Sequence, residues 1–569
     1  MPGSSGIAAR LLLLFLVFLV GSCVTPRPTG TADTILRGGT LITLDDKYKD
    51  ATAIAVQNGR ILAVGSEADM AAYTASHTEF IELEGRTLLP GFIDAHGHLI
   101  QQAMARAVAG LKPPPMGTVR DISSLQQKLR EDGSNHPGGN WILGFGYDER
   151  QLKERRHPTR WDLDRVSNTR PVVAVHLSGR IAVVNSVVLQ KLGQQAYNPV
   201  AGAIFRKDPR TGQLNGVIEE RAMDVIADLI PAPSALKAVG ILKEVQDDYL
   251  AAGITTVQDG WATLSAIKLY RAGADFGMLN LDIVAYLPAS TLDMVDADDY
   301  RPEPYEGRFR IGGVKMVVDG SSQLGSAYQN APYMKVSAKT GDRGFLLTRE
   351  EQLDLWLRRY AQQGWQPLIS ASGDAAIDTA IEAIDKAGGG ERLSSPVMVA
   401  PQLMSRAQAR KLAKQDVAIS FSPVQIYYWS DWLAEILGTE RARAFGPVAT
   451  AIDAGALVTL NSETPAAGPD MMQLIWSAVT RANRDGVSQP SDERISVEQA
   501  LRAVTLDAAR QYGEGEQKGS LTPGKSADFV ILEQNPLQVD EAALPAIEVH
   551  STWKDGEQVY PEEDPLGFF

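Results

Sequence analysis

Leu88-Leu-Pro-Gly-Phe-Ile-Asp-Ala-His-Gly-His-Leu-Ile100 is the stretch that decides the fold, because a short apolar run here ends in two histidines. In a β-strand, residues i and i+2 point to the same face, so His96 and His98 are predicted to project together, with Gly97 leaving the space between them open. Two imidazoles on one face supply half of a metal site. A buried strand with two hydrogen-bonded histidines has the same pattern, and a motif this short does not separate the two interpretations.

The apolar, β-rich runs that follow are separated by helical stretches, which is the pattern of βα units and a parallel sheet. With the histidine strand they make eight predicted strands, and eight strands suit an α/β fold of the (β/α)8 TIM-barrel type at 89–511. The other seven strands are predicted at 253–259, 279–287, 311–318, 366–370, 397–400, 417–421 and 457–461.

About 150 residues separate the first two predicted strands, which is too long for a structureless loop. Strand-like runs lie within this gap at 141–148, 171–177 and 214–218. We therefore predict an inserted subdomain at 110–235. It leaves the barrel from the carboxyl end of strand one, the catalytic face of such barrels, where it can cover the pocket and set the choice of substrate.

The two ends of the chain have the same character, with short strands separated by turns such as Asn58-Gly59. Neither end has enough strands to be stable alone. We therefore predict that 33–88 and 512–569 pair into one small β-domain beside the barrel.

The first 22 residues have the pattern of a signal peptide, with Arg10 before an apolar run that is too short to span a bilayer. Small residues before Cys23 indicate a bacterial lipoprotein, with 23–32 as a tether. An ordinary secretory signal is the alternative. We expect a place in the bacterial cell envelope, either lipid-anchored on the periplasmic side or secreted. Cys23 is the only cysteine, which excludes an intramolecular disulfide and a thiolate zinc cluster.

The charge of the chain excludes some partners. The net charge is −14, and without residues 1–22, which contain only Arg10, it is 54 − 69 = −15. Such a surface repels nucleic acid and anionic membranes. A small-molecule substrate or ligand is the expected partner, and membrane contact is expected only through a lipid on Cys23.

Motifs spread along nearly the whole mature chain resemble the amidohydrolase superfamily, in its family 3 branch of YtcJ-like metal-dependent hydrolases. The stretches that carry the resemblance are Pro90-Gly-Phe-Ile-Asp-Ala-His-Gly-His98, Asn185-Ser186, Gly216-Val-Ile-Glu-Glu220, Gly253-Ile-Thr-Thr256, Gly313-Val-Lys-Met-Val-Val-Asp-Gly320, Gly373-Asp374, Ser420-Phe-Ser-Pro423, Ile475-Trp-Ser-Ala-Val-Thr-Arg481 and Gly524-Lys-Ser-Ala-Asp-Phe529. The resemblance implies a barrel flanked by a β-domain and metal-dependent hydrolysis of non-peptide C–N bonds.

The resemblance also implies which residues bind metal. Strand one supplies His96 and His98, strand four supplies Lys315, often carboxylated in the family, and Glu463 stands where strand eight usually has aspartate. The usual histidines of strands five to eight and of the inserted subdomain are replaced by Ser370, Ala400, Gln425, Asn461 and Arg180. The chain has no histidine between residues 177 and 549, so a binuclear site of the usual form is excluded.

Three interpretations remain open. In the first, one divalent metal ion, expected to be zinc, is held by His96, His98, carboxylated Lys315 and Glu463, with Glu463 as ligand or general base for attack of water on a C–N bond. In the second, the protein is a degenerate enzyme that binds small molecules or acts as a scaffold. In the third, hydrolysis needs no metal, although Ser370 lacks a histidine partner in strands two to eight.

Two further groups have a predicted place. For His176 and Arg180 the pattern favours a core-edge position over ligand chemistry. The aromatic residues that follow strand seven either line the substrate pocket or pack under a loop: Tyr427, Tyr428, Trp429 and Trp432.

Overall fold

The computed structural model describes residues 30–135, 141–197, 203–220, 222–227, 229–231, 234–334, 342–488 and 492–562. The predicted signal peptide, Cys23 and the first part of the tether lie outside these residues. Within the described part of the chain, no helix is long and apolar enough to cross a membrane.

The centre of the protein is a sheet of eight parallel strands whose spatial order follows their order in the chain. This confirms the predicted (β/α)8 fold class. The barrel strands one to eight are Phe92–Ile93, Ile254–Asp259, Asp282–Pro288, Phe309–Val317, Gln366–Ser370, Val397–Val399, Ala418–Phe421 and Val458–Leu460.

Contacts between the segments that follow strands one and eight bring the two edges of this sheet together. Glu463 N donates to His96 O at 3.1 Å, and His98 N donates to Thr464 O at 3.0 Å. The predicted first strand was too long, because regular pairing ends at Ile93 and both histidines lie beyond it. Gly97 also has another role than predicted: a Cβ there would lie 2.7 Å from Thr464 Oγ1, so glycine permits this close approach.

Alternation along the barrel strands divides the core into two layers. In strand three, Val284 and Tyr286 point into the barrel, whereas Ile283, Ala285 and Leu287 pack against the outer helices. This period of two follows from the strand backbone, and apolar side chains on both faces are typical of a parallel sheet covered by helices.

Helices surround the barrel and fill the connections between its strands. The α-helices of the described chain are Glu67–Met70, Leu99–Arg106, Ile122–Asn135, Arg160–Asp164, Ser186–Leu192, Ala222–Ala227, Ala235–Ala251, Leu264–Asp275, Ala289–Leu292, Glu350–Gln362, Asp374–Ala387, Arg406–Lys414, Val424–Leu437, Thr439–Arg443, Val448–Asp453, Met471–Thr480, Val497–Ala503 and Leu506–Gln511.

The long connection after strand one contains a six-stranded sheet of its own, which includes strands at all three predicted places. Its strands lie side by side in the order Ala203–Lys207, Leu214–Glu220, Ile181–Val184, Val172–His176, Ile142–Tyr147 and Ala109–Gly110. It has its own apolar core, and Leu177 at one end packs into the core of the barrel. The insert therefore contacts the barrel beside the turn 177–180.

The two ends of the chain pair with each other, but they form two sheets. The first sheet is N-terminal only, in the order Arg60–Gly65, Ala53–Gln57, Thr34–Arg37 and Glu79–Glu82. The second combines both ends, in the order Thr40–Leu41, Thr87–Pro90, Phe529–Leu532, Val549–Lys554 and Glu557–Tyr560. Both sheets contribute to one apolar cluster that includes Ile54, Leu88 and Phe529, so they pack as two layers.

A candidate active site at the mouth of the barrel

Four side chains from three barrel strands meet at the carboxyl end of the barrel, where parallel strands deliver their last residues. His96 and His98 follow strand one, and their ring centroids are 5.0 Å apart with the planes at 75°. Lys315 belongs to strand four, and its Nζ lies 3.4 Å from His96 Nε2. Glu463 follows strand eight and interacts electrostatically with Lys315. The structure thus places all four of the sequence-predicted ligands at one mouth.

A hydrogen-bond chain from strand two determines the protonation of His96. Gln258 Nε2 donates to Ala95 O at 2.9 Å, which turns Gln258 Oε1 toward His96 Nδ1, 2.5 Å away. Since Oε1 only accepts hydrogen bonds, Nδ1 carries the proton and the lone pair of Nε2 faces the mouth. Metal-binding histidines are usually oriented by such an outer partner.

Sequence reasoning missed Gln258. A glutamine in an otherwise apolar strand was the available signal, because buried polar residues are the informative exceptions in a core.

Burial controls the charge of the four groups. It lowers the pKa of His98 to about 3, with Lys315 adding to the effect, and it lowers the pKa of His96 well below its usual value. It lowers the pKa of Lys315 to about 7, against the opposing influence of the Glu463 carboxylate. It raises the pKa of Glu463, against a hydrogen bond from Gln425. Near neutral pH both imidazoles are uncharged, as metal binding requires.

Glu463 is held in an unusual backbone conformation. Its φ is +52°, in the left-handed region that a residue with a side chain seldom adopts. Such a conformation costs on the order of 1–3 kcal/mol and persists where neighbouring contacts hold it. Here Glu463 N bonds to His96 O, and Gln425 Nε2 donates to Glu463 Oε2. The carboxylate is therefore positioned by both the main chain and a side chain.

The opposite side of the mouth lacks imidazoles. Ala400 is buried after strand six and offers no side-chain donor atom. Asn461 Nδ2 donates to Ser420 Oγ at 2.8 Å. Gln425 binds Glu463 as described, so the amide there holds a carboxylate. The mouth therefore has the ligands of one of the two metal ions of a usual binuclear site.

The donor atoms that remain at the mouth suit one metal ion. Among the residues that the structure describes, His98 Nδ1 is a buried nitrogen with no hydrogen-bond partner. Buried polar atoms are nearly always paired, so such an atom indicates a missing partner. With the unprotonated His96 Nε2, which now faces the Lys315 amine, two nitrogen donors are present beside an amine and a carboxylate.

Other predicted residues lie around this mouth. Arg180 is within electrostatic range of Glu463 and Asp319, where it opposes the rise that burial produces in both carboxyl pKa values. His176 is buried, but it does not join the four ligands and lies beside Glu149 in the insert.

Two adjoining cavities lie near this mouth, lined by neighbouring residues and not by the four predicted ligands, and they share Pro115, Tyr427 and Tyr428. The smaller has a volume of about 290 Å³ and reaches Ser462. The larger has a volume of about 540 Å³ and extends along the helix Val424–Leu437 toward the insert. The aromatic residues after strand seven thus line the cleft.

Comparison with known proteins gives full-length matches. The chain is similar to an N-substituted formamide deformylase of Arthrobacter pascens, with 26% identity over 93% of this chain and 98% of that one. It is similar to the putative amidohydrolase YtcJ of Bacillus subtilis (strain 168), with 26% identity over 92% of this chain and 99% of that one.

A solved structure has the same fold. An uncharacterized metal-dependent hydrolase from Pyrococcus horikoshii superposes with a TM-score of 0.73 at 23% identity, covering 90% of this chain and 99% of that one. The model of an amidohydrolase family matches residues 79–560, which is most of the chain. By its sequence, its barrel and the residues at the mouth of that barrel, the chain belongs to the amidohydrolase family.

Proposed function

We propose that this protein hydrolyses a non-peptide, amide-type C–N bond of a small molecule with one divalent metal ion. The ligands are His96, His98, carboxylated Lys315 and Glu463. The observation that carries this proposal is the convergence of the four side chains, with Gln258 directing the lone pair of His96 Nε2 toward Lys315. The similar deformylase, which by its name acts on N-substituted formamides, supports an amide-type substrate.

The side chains of this chain have separate tasks. A divalent ion, with zinc suited to this donor set, supplies Lewis-acid polarisation and lowers the pKa of a water molecule. Glu463 would accept a proton from the attacking water, because burial raises its pKa and makes it a better base near neutral pH. Tyr427 and Tyr428 enclose the substrate in the cleft and exclude bulk water.

Metal content tests the first half of the proposal. Purified protein, reconstituted with zinc or manganese and desalted, is expected to retain an ion at the mouth, and His96→Ala is expected to lose it. His77→Ala is a matched control, because His77 is an exposed histidine. A His96→Ala variant that binds as much metal as the wild type would contradict the proposed site.

Turnover tests the second half. Release of formate from an N-substituted formamide is expected with the metal-loaded wild type and is expected to fall at least ~10²-fold in Glu463→Gln, the usual scale for a lost general base. Tight metal binding without turnover on a panel of amides would contradict hydrolysis and leave the metal site in place.

A degenerate protein that binds small molecules is the second candidate. The loss of a donor at Ala400 and the amide of Gln425 on the Glu463 carboxylate favour it. It predicts saturable binding of an amide, measured by calorimetry, without product. Hydrolysis without metal has no comparable support, because the sequence places no histidine near Ser370 in strands two to eight.

The location of the protein is a separate proposal that rests on the sequence alone. Cleavage before Cys23 and lipidation of that cysteine would anchor the protein to the bacterial envelope. Membrane fractionation is expected to recover the wild type with membranes and Cys23→Ser in the soluble fraction. Equal recovery of both in the soluble fraction would contradict the lipid anchor.

A further inference from the structure

We infer that the inserted subdomain holds a second divalent-cation site, formed by Asp148, Glu149 and His176. One donor atom from each of these residues lies within 4.8 Å of the other two. The site is distinct from the four residues of the barrel mouth and is independent of the proposed hydrolysis.

The strand pairing of the insert explains why these residues meet. Asp148 and Glu149 directly follow the strand Ile142–Tyr147, and His176 ends the neighbouring strand Val172–His176. The two strands are parallel, so their carboxyl ends lie at the same edge, and a register shift pairs His176 with Tyr147. The cluster is therefore built by regular structure and not by a loose surface loop.

The polar atoms of the cluster face one another, so that one cation could bind to all of them. His176 is 3% exposed, and its Nε2 lies 2.9 Å from Glu149 Oε2 and 3.9 Å from Asp148 Oδ1. Despite this distance, neither Nε2 nor Glu149 Oε2 has a hydrogen bond among the described residues, because the atoms are close but misaligned. At this distance the two atoms form an ion pair without an aligned hydrogen bond, and a cation bound by both of them would take the place of the imidazole proton.

The charges of the neighbouring groups determine what this cluster can bind. Arg150 Nε lies 3.4 Å from Glu149 Oε1, the other oxygen of that carboxylate, and its guanidinium stacks over Trp432 with 4.3 Å to the ring centroid. His157 Nδ1 is 3.8 Å from Glu149 Oε2, and burial lowers its pKa to about 4. Against the effect of burial, Asp148 and Glu149 raise the pKa of His176 to about 8, so a divalent cation bound at Nε2 would replace the proton that the imidazole carries near neutral pH.

The second nitrogen of His176 can accommodate the ion. Nδ1 lies 2.8 Å from Ser178 Oγ and accepts from Ser178 N at 3.0 Å. Binding of a cation at Nε2 would place the imidazole proton on Nδ1, which would then donate to Ser178 Oγ in place of accepting from Ser178 N, the type of outer contact that metal-binding histidines make. One imidazole and two carboxylates suit zinc or manganese, with a remaining position for water.

The site lies where the insert contacts the cleft. Trp429 Nε1, from the helix after strand seven, donates to Asp148 Oδ2 at 3.2 Å, and Asp148 lines the larger cavity. A cation on Asp148 would therefore hold the insert against the wall of the substrate cleft.

Metal content of the full-length protein tests the inference. After incubation with zinc or manganese and desalting, mass spectrometry of the metal is expected to find two ions per wild-type chain. Glu149→Gln, which keeps the side-chain volume, and His176→Ala are each expected to retain one. His77→Ala is the control and is expected to retain both, because His77 is exposed.

The outcomes separate the two sites. If His96→Ala loses no ion but His176→Ala loses one, the inserted site stands and the barrel site fails. If Glu149→Gln and His176→Ala both bind as much metal as the wild type, with unchanged melting curves, the inference is overturned. Loss of metal in His176→Ala with an unchanged content in folded Glu149→Gln would overturn the three-residue site as well.

Discussion

Lys315 makes metal binding at the barrel mouth dependent on pH. An ammonium group 3.4 Å from His96 Nε2 repels a cation, whereas the neutral amine does not and can also react with carbon dioxide to form a carbamate. Because burial lowers the pKa of Lys315 to about 7, the amine becomes neutral as the pH rises through that value. Metal affinity is therefore expected to fall below pH 7 and to level off above it.

The size of the effect follows from the titration. With a pKa of about 7, the neutral fraction rises about tenfold between pH 6 and pH 8, which corresponds to ~1.4 kcal/mol of binding free energy. His98 does not contribute, since its pKa is about 3. Lys315→Met keeps the apolar stem and removes the charge, so it is expected to flatten the dependence. Any residual slope would come from Glu463.

Competition with a chromophoric zinc indicator at pH 6, 7 and 8 measures this dependence, in the His176→Ala background so that only the barrel mouth is observed. Bicarbonate is expected to raise the affinity of the Lys315 protein and to have no effect on Lys315→Met. The reasoning would be refuted if the wild-type affinity were the same at pH 6 and pH 8, or if Lys315→Met kept the full tenfold change.

Two further predictions concern Gln258, which lies behind His96, and Lys554, in the sheet that the two chain ends form. Gln258→Met removes the acceptor that holds the proton on His96 Nδ1, so zinc affinity at the mouth is expected to fall about 10- to 100-fold in the same competition assay, with little change in melting temperature. Lys554 is 2% exposed and lies 2.9 Å from Asp528 Oδ2, so Lys554→Met leaves a buried carboxylate without its cation. The free energy of unfolding in urea is expected to fall by about 3–5 kcal/mol, and an equal stability of Lys554→Met and wild type would show that water or another cation compensates.

The mouth of this barrel combines retained and lost features of a binuclear centre. Ala400 has no side-chain donor atom, and both Ala400 and Glu463 have a left-handed backbone, with φ at +54° and +52°. Ligands on one side of the mouth and none on the other suit a single metal ion. Measurement of the metal content tests this arrangement.

Local pattern was sufficient to predict the barrel and half of its site. The eight strands appear in the sequence as short apolar, β-branched runs at regular spacing, so the predicted 366–370 coincides with Gln366–Ser370 and most of the other barrel strands differ by one to three residues at an end. The absence of histidine between residues 177 and 549 already excluded the usual second metal. These features depend on residue type and near neighbours along the chain.

Only the tertiary structure brought distant residues together. Gln258 meets His96 across 162 positions of the chain, and Glu463 is held by Gln425 from the helix after strand seven. The cluster of Asp148, Glu149 and His176 depends on a parallel pairing in the insert that the sequence did not predict. Periodicity reports which face of a strand a residue lies on, but hydrogen-bond direction, burial and the resulting pKa values depend on which strands become neighbours.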